Sequence, residues 1–219
     1  TGAGRAVRVL SKEESVDSAP PLPVRVRPAV PADLSAVADT LADAFTDYRF
    51  TRWALPADGY PERLRAVQHY FTERVGLPYG RVWTTDGVLA AAVWTVPGVA
   101  VPAEVFADPA LAALYGDRAE AVARLEEELA PHRPAGPAWF LATVGVRRDA
   151  QGKGVGTAVL SPGLAAADAD GFSCYLETSD ARNVRFYRRL GFEVTAEVTP
   201  SWAAPRTWCM VRPAPASRR

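Results

Sequence analysis

The stretch Gln151-Gly152-Lys153-Gly154-Val155-Gly156 lies between an apolar run and an alanine-rich helical pattern. The apolar run, Trp139 to Val146, is typical of a buried strand. A strand, a glycine-rich turn and a helix start together bind anions, because the first N–H groups of a helix have no partner within the helix and the helix dipole adds partial positive charge. The sequence therefore predicts a phosphate-binding turn at residues 151–156.

The glycine spacing narrows the class of ligand. Three glycines alternate within five residues, and no Gly-Lys-Ser or Gly-Lys-Thr follows, so the turn differs from the dinucleotide-binding and nucleoside-triphosphate-binding fingerprints. A glycine-rich turn before a helix also occurs for purely structural reasons. The residues that follow the turn decide between the two interpretations.

Composition favours a single enzyme-sized domain. The chain has 219 residues, of which 48% are hydrophobic, enough for one substantial core. The 25 basic and 25 acidic residues balance, so the charge indicates neither nucleic-acid nor membrane binding. No run approaches the ~18 apolar residues that span a bilayer, and no signal-peptide core is visible, so we expect a cytoplasmic protein.

Cysteines and histidines are too few for a structural framework. Cys174 and Cys209 both lie in apolar strand-like segments, while His69 and His132 are far apart. Neither a disulfide scaffold nor a four-ligand zinc site fits this pattern. We expect two buried free thiols and no metal ion.

Hydrophobic periodicity predicts an alternation of helices and strands rather than a repeat. An Asp86-Gly87 turn joins two strands in a hairpin, since this dipeptide supplies the backbone angles of a tight turn. Pro162, within the helix after the glycine turn, predicts a kink or a restart. The predicted strands are 24–27, 81–85, 88–96, 139–146, 173–177, 193–198 and 207–211, and the predicted helices are 34–45, 61–76, two within 101–129, one after 156 and 181–190.

These elements predict one domain over residues 24–213. Residues 1–23 lack periodicity and are interpreted as a mobile N-terminal arm or a cloning remnant. Residues 214–219 are expected to form a flexible tail.

The residues after the turn resemble those of a known superfamily. Gln151, Gly154 and Gly156 fit the pattern Gln-x-x-Gly-x-Gly, and the strand Tyr175-Leu176-Glu177 follows. Next come Asn183 and the string Phe186-Tyr187-Arg188-Arg189-Leu190-Gly191-Phe192. This order resembles the GNAT superfamily of N-acetyltransferases, whose cofactor, acetyl-CoA, carries a pyrophosphate.

The resemblance implies an α/β fold of the α+β type. Its sheet is expected to be mixed, mostly antiparallel and built from about seven strands, with helices on both faces. The sheet should splay between the strand before the glycine turn and the strand at residues 173–177, where the cofactor binds.

The resemblance also implies three catalytic groups. Tyr187 matches the general acid for the CoA sulfur, and the Val146 N–H matches the donor to the thioester carbonyl. Glu177 is the candidate base, acting directly or through water. From the residues alone, Tyr187 also fits a buried aromatic whose hydroxyl is satisfied, and Glu177 fits an ion pair with Arg182 or Arg185.

The cofactor site implied by the resemblance covers one strand, one turn and one helix. Asn183, four residues before Tyr187 on the same helical face, is expected to bond the pantetheine or fix the Tyr187 hydroxyl. The cofactor-binding candidates are Val144, Gly145, Val146, Gln151, Gly152, Lys153, Gly154, Val155, Gly156, Thr157, Asn183 and Tyr187.

The acceptor site is expected between the first helices and the hairpin. The strings 43–48 and 129–134 resemble the puromycin N-acetyltransferase branch, which implies a primary amine of puromycin or a related aminonucleoside as acceptor. Residues 49–53 depart from that branch. The substrate-binding candidates are Phe45, Asp47, Tyr48, Trp53, Trp94 and Glu177.

Several alternatives stay open. An amino acid, a peptide or a protein amine is another acceptor class, and a non-catalytic acyl-CoA-binding sensor is another function. Direct transfer in a ternary complex is the expected mechanism, with Cys174 as a covalent relay the alternative. No nucleic-acid or membrane partner is expected, and the oligomeric state does not follow from the sequence.

Overall fold

A computed structural model gives the structure of residues 24–215, and the predicted arm at 1–23 and tail residues 216–219 lie outside the described residues. The strands are β1 (Val26–Pro28), β2 (Gly80–Thr85), β3 (Ala90–Thr95), β4 (Ala138–Val146), β5 (Ser173–Thr178), β6 (Glu193–Val198) and β7 (Thr207–Arg212). They form one seven-stranded sheet in the order β1-β2-β3-β4-β5-β7-β6. Only the β4–β5 pair is parallel, which confirms the predicted mixed, mostly antiparallel sheet.

The sheet opens between β4 and β5. These strands pair only where residues 138–140 face residues 173–175. Beyond that point β4 stays with β3, and β5 stays with β7. On β4 the register shifts so that Leu141 and Thr143 pair with consecutive residues of β3, which leaves Ala142 as a bulged residue. Since bulges bend and twist a strand, this one accounts for the predicted splay.

Helices cover both faces of the sheet, as predicted. They are α1 (Leu34–Phe45), α2 (Arg49–Ala54), α3 (Tyr60–Phe71), α4 (Leu77–Tyr79), α5 (Ala103–Phe106), α6 (Pro109–Tyr115), α7 (Ala119–Leu129), α8 (Val155–Asp170) and α9 (Ala181–Arg188). Within residues 24–215, none combines the length and the apolar character needed to cross a bilayer.

Strand β3 separates the two layers, because its side chains alternate between the faces. Ala91 and Val93 pack with Val37 and Leu41 of α1. Trp94 packs in the hydrophobic cluster on the other face of the sheet, together with residues of α8. All five side chains are 0–1% exposed, so β3 forms the centre of the core.

The start of α1 is fixed to the first strand by Asp33. Its carboxylate accepts hydrogen bonds from Arg27 Nη1 (2.7 Å) and from the Val30 N–H (2.8 Å). The Arg27 hydrogen bond, followed by the Val30 N–H, lowers the pKa of Asp33 to about 2.

The sequence pattern does not predict helix α2, and two connections differ from their predicted form. Residues 49–54 form a six-residue helix that is too short for a periodic signal. The hairpin turn is a 3-10 turn over residues 86–88, in which Gly87 has the expected positive φ of 73°. Helix α3 continues through a π-helical stretch at residues 72–76 and then α4, so it does not stop at Gly76.

The predicted helix restart at Pro162 is wrong, since α8 runs uninterrupted from Val155 to Asp170, and the alternative of a kink stays a prediction. Next to this proline, Gly163 lies against the buried indole of Trp94, so close that a Cβ atom would approach Nε1 to 2.6 Å. The Ser161 hydroxyl also donates to the Thr157 carbonyl (2.9 Å). Packing on the sheet therefore outweighs the local cost of proline, which is roughly 3 kcal/mol in a helix interior.

Replacing Gly163 tests this packing. Gly163→Val should lower the free energy of unfolding by about 1–3 kcal/mol, because its side chain has to displace a rigid indole. Chemical denaturation measures the change. Gly136→Val is the control, since a Cβ there meets no atom within 4 Å. Equal stability of the two variants would contradict the proposed contact.

Candidate functional site

The opening between the strands is lined by main-chain groups of β4. The Arg147 N–H donates to the Leu89 carbonyl (2.8 Å), one position beyond the Ala90–Val146 pair. Bonded and non-bonded pairs alternate along an antiparallel ladder, so the N–H and C=O groups of Val144 and Val146 point away from β3. They face the side from which β5 has diverged, which is the geometry needed to pair with an extended ligand.

The glycine turn closes one end of this opening. Gln151 Nε2 donates to the Val146 carbonyl (3.0 Å), which holds the turn against β4. Gly152 and Gly154 have φ values of 75° and 78°, and a Cβ on either would meet nothing within 4 Å. Within residues 24–215, the N–H groups of residues 152–157 donate to no protein acceptor. The turn and the first residues of α8 thus present an uncrowded row of donors that fits a pyrophosphate.

Tyr187 lies on α9 beside the turn. Its ring is 7% exposed and packs against Phe186 (5.2 Å between centroids) and Phe192 (5.8 Å). Among the described residues, its hydroxyl has no hydrogen-bond partner. Burial, together with the nearby Tyr48 phenol, raises the pKa of Tyr187. The group therefore stays protonated, as a proton donor must.

A hydroxyl network joins the end of β5 to the α1–α2 turn (residues 46–48). The Tyr48 hydroxyl accepts a hydrogen bond from the Ser179 N–H (2.6 Å) and lies 3.2 Å from Thr178 Oγ1. Asn183 Nδ2 donates to the same Thr178 oxygen (3.1 Å). Asn183 therefore bonds Thr178, and the expectation that it fixes the Tyr187 hydroxyl is wrong. Burial raises the pKa of Tyr48, so its phenol remains neutral.

Glu177 faces the side of β5 opposite to Thr178 and forms an ion pair that the sequence did not indicate. Its Oε1 accepts hydrogen bonds from Arg133 Nε (2.9 Å) and the Tyr175 hydroxyl (2.8 Å). The other end of the Arg133 guanidinium reaches Glu126 Oε2 (2.6 Å). Burial alone lowers the pKa of Arg133, but the hydrogen bond and charge of Glu177, with those of Glu126, raise it above its usual value. The expected ion-pair partners, Arg182 and Arg185, are not the partners found.

A second ion-pair cluster links Arg148, just before the glycine turn, to the end of α1 and to the α1–α2 turn. Asp43 accepts a hydrogen bond from the Arg148 N–H (2.7 Å), and Arg148 Nε donates to the Asp43 carbonyl (3.1 Å). Arg148 Nη1 also lies 3.4 Å from Asp47 Oδ2. Sequence patterns missed both Arg148 and Arg133, because an ion pair between distant segments has no periodic signal.

Of the aromatic acceptor candidates, Tyr48 belongs to the hydroxyl network and Phe45 packs on it, whereas Trp53 packs in the cluster that contains Tyr175. Phe45 packs edge-to-face on Tyr48 (5.2 Å), and Trp53 packs on Trp202 of the β6–β7 loop (5.8 Å). Trp94 is different: it is 0% exposed and lies beneath α8. Its assignment as a substrate contact is therefore wrong, because the indole is part of the core.

Both cysteines are buried free thiols, as predicted. Burial raises the pKa of Cys174 to about 11 and also raises that of Cys209. Because nucleophilic chemistry needs an accessible thiolate, this environment argues against Cys174 as a covalent relay.

Beside the hydroxyl network lies a cavity of about 350 Å³. Its lining comes from the α1–α2 turn, the end of β5 and the starts of α2, α9 and β7. The lining residues are Asp47, Arg49, Ser179, Asp180, Ala181, Arg182 and Trp208.

A splayed sheet, a donor-lined turn and a buried tyrosine together form the candidate site. The sequence profile of the acetyltransferase (GNAT) family matches residues 53–192, more than half of the chain. The chain therefore belongs to the GNAT family of acetyltransferases.

Solved structures share the fold over nearly their whole length. One is a Corynebacterium glutamicum protein described as histone acetyltransferase HPA2 and related acetyltransferase, with 26% identity, a TM-score of 0.70 and coverage of 90% of this chain and 99% of that one. Arylalkylamine N-acetyltransferase 2 of Aedes aegypti has 14% identity and a TM-score of 0.62, with coverage of 86% of this chain and 98% of that one. The Escherichia coli ribosomal-protein-S18-alanine N-acetyltransferase has 15% identity and a TM-score of 0.53, with coverage of 90% of this chain and 99% of that one. The last two similarities support the fold alone.

A matched pair of glycine variants tests the donor-lined turn. Gly154→Ala and Gly171→Ala place the same strained side chain at the two ends of α8, where φ is 78° and 74°. Both should lose about 1–2 kcal/mol of stability. Only Gly154→Ala should weaken CoA binding, by about tenfold in calorimetry, because its methyl group crowds the turn. Equal CoA affinities would contradict a ligand-binding role for the turn.

Proposed function

We propose that this protein transfers the acetyl group of acetyl-CoA to a primary amine of a small molecule, while both substrates are bound. The observation that carries the proposal is the opening between β4 and β5, into which the Val144 and Val146 main-chain groups point. Bound acetyl-CoA supplies an activated acetyl thioester. The assigned domain is residues 24–213.

The residues present fit this cofactor. Val144 and Val146 would pair with its pantetheine arm, as a strand pairs with a neighbour. The N–H groups of residues 152–157 would hold its pyrophosphate, since they have no protein acceptor among the described residues. The Val146 N–H would stabilise negative charge on the thioester oxygen. Losing one such donor typically costs ~10²–10³ in rate.

Tyr187 is the proposed general acid. The new N–C bond forms as the thioester C–S bond breaks, and the phenol gives its proton to the departing sulfur. The raised pKa of Tyr187 supports this role, because the phenol is protonated at neutral pH. The amine loses a proton in the same reaction, which restores the balance.

Glu177 is proposed to act on that amine proton through water rather than by direct contact. Its side chain is 13% exposed, and both of its oxygens already accept hydrogen bonds from Arg133 or Tyr175. An α-amine with a pKa near ~8 is partly neutral at pH 7, so a base that acts through water is sufficient. Positioning two bound reactants then contributes most of the acceleration.

Puromycin or a related aminonucleoside is the acceptor that the sequence resemblance favours. Phe45, Tyr48 and Trp53 supply aromatic surface on the side where the acceptor would enter, and Asp47 lines the adjoining cavity. The cavity's volume of about 350 Å³ favours a small molecule over a protein chain. A sensor without catalysis is not favoured, since the chain carries candidates for both acid and base, Tyr187 and Glu177.

Tyr187→Phe tests the catalytic proposal. The purified protein should release CoA thiol when given acetyl-CoA and a panel of primary amines that includes puromycin. The variant should lose about 10²-fold in kcat while keeping its CoA affinity, because only the proton donor is removed. Tyr115→Phe, on α6, is the control, since burial raises the pKa of that phenol too. Unchanged turnover in Tyr187→Phe would overturn the assignment.

The two carboxylates bound to Arg133 allow a second comparison. Glu177→Gln should lower kcat/KM by about tenfold or more, whereas Glu126→Gln should change it less than about twofold. Both variants remove one ion pair from Arg133, but Glu177 is the more buried partner and also accepts from the Tyr175 hydroxyl, so its loss should cost more stability. Thermal midpoints and steady-state rates measured together separate the two effects. Equal losses of activity would assign Glu177 a structural role.

A further inference from the structure

The cavity beside the hydroxyl network has one charge that the protein does not balance. Asp180 pairs with Arg182 (2.8 Å), and Asp47 lies within 3.4 Å of both Arg52 and Arg148. Arg49, the first residue of α2, is exposed and has no carboxylate or hydrogen-bond partner within the described residues. The lining itself holds two acidic and two basic residues, and Arg49 is the one of these four whose charge has no ion-pair partner within the described residues.

An anionic group of a ligand would satisfy Arg49. The guanidinium is planar, permanently charged and shaped to bind a carboxylate through two parallel hydrogen bonds. The neighbouring Asp47 and Asp180 already have cationic partners, so they compete only weakly for the same guanidinium. A carboxylate is the simplest group that fits.

Another lining residue, Trp208, favours an apolar or aromatic group on the ligand. Trp208 lines the cavity and is half-buried. Its Nε1 already donates to Glu197 Oε2 (2.9 Å), so the indole offers mainly its apolar surface to a ligand. Aromatic groups pack well against such a surface.

The cavity also adjoins the proposed site of transfer. Ser179 lines it and donates its N–H to the Tyr48 hydroxyl (2.6 Å). The Tyr48 hydroxyl also lies 3.2 Å from Thr178 Oγ1, which accepts from Asn183 of α9, the helix that carries Tyr187. A ligand whose carboxylate sits at Arg49 would hold an amine a few bonds away beside Tyr48.

We propose that Arg49 selects an acceptor amine that carries a carboxylate, with an aromatic α-amino acid as the best fit, in preference to the neutral aminonucleoside that the sequence resemblance favours. The inference rests on the proposed acetyl transfer. The amine nitrogen forms the new bond to the acetyl carbon, the C–S bond breaks, the sulfur is protonated, and the carboxylate remains unchanged at Arg49.

Three acceptors with the same amine and side chain test the inference. O-methyl-L-tyrosine carries the carboxylate, its amide lacks the charge, and puromycin holds the same amino acid as a neutral amide. The protein should favour the free acid by about tenfold or more in kcat/KM. Arg49→Ala should lower kcat/KM for the acid by about 10–100-fold and leave the amide unchanged, while Arg49→Lys should fall between them. The amide reports any folding defect, because that defect would affect both acceptors.

Binding measurements separate this inference from the proposed function. Calorimetry with CoA-saturated Tyr187→Phe, with and without Arg49→Ala, reports acceptor affinity without turnover. Arg49-dependent binding of the acid with no acetylation of any amine would retain the subsite and overturn the proposed function. Acetylation with the same acid-to-amide ratio in the wild type and Arg49→Ala would overturn the subsite alone. Weaker CoA binding in Arg49→Ala would also overturn it, because the arginine would then serve the cofactor.

Discussion

The divergence of β4 from β5 is the constraint on which the rest of the structure depends. Buried main-chain N–H and C=O groups need partners, and a strand that leaves its neighbour exposes a row of them. Side chains supply part of the compensation: Gln151 binds the Val146 carbonyl, and Tyr48 binds the Ser179 N–H. The outward-facing N–H groups of Val144 and Val146 are then available to a ligand. Incomplete pairing within the sheet is thus what makes a binding site.

Much of the fold follows from local sequence patterns. Apolar spacing identifies α1, and the glycines mark a helix start, because these features depend on residues close in sequence. The facing of Trp94 does not follow in the same way. Alternation places Ala92 and Trp94 on one face of β3, but the crossover after β4 decides that α8 covers this face. The helix restart predicted at Pro162 is absent for a related reason, since contacts with the sheet outweigh the local cost of proline in a helix.

In the candidate site, too, local sequence patterns predict some residues and miss others. The turn and Tyr187 come from one continuous segment, where order and spacing are informative. The Arg133–Glu177 pair joins residues 44 positions apart, and Arg148 reaches Asp43 across 105 positions. A charged side chain in a loop carries no pattern that names its partner. Such pairs become visible only when the fold brings their segments together.

Residues close together around the α1–α2 turn have different roles. Asp43, in the last turn of α1, binds Arg148 just before the glycine turn, and Tyr48 binds the end of β5. Arg49, the first residue of α2, forms no ion pair or side-chain hydrogen bond among the described residues. Mutations at such a position cost little stability, so they can accumulate without loss of the fold. If Arg49 binds the acceptor as proposed, changes in acceptor preference can evolve at this position without loss of the fold. A family that shares one reaction can diversify its substrates through a single helix start.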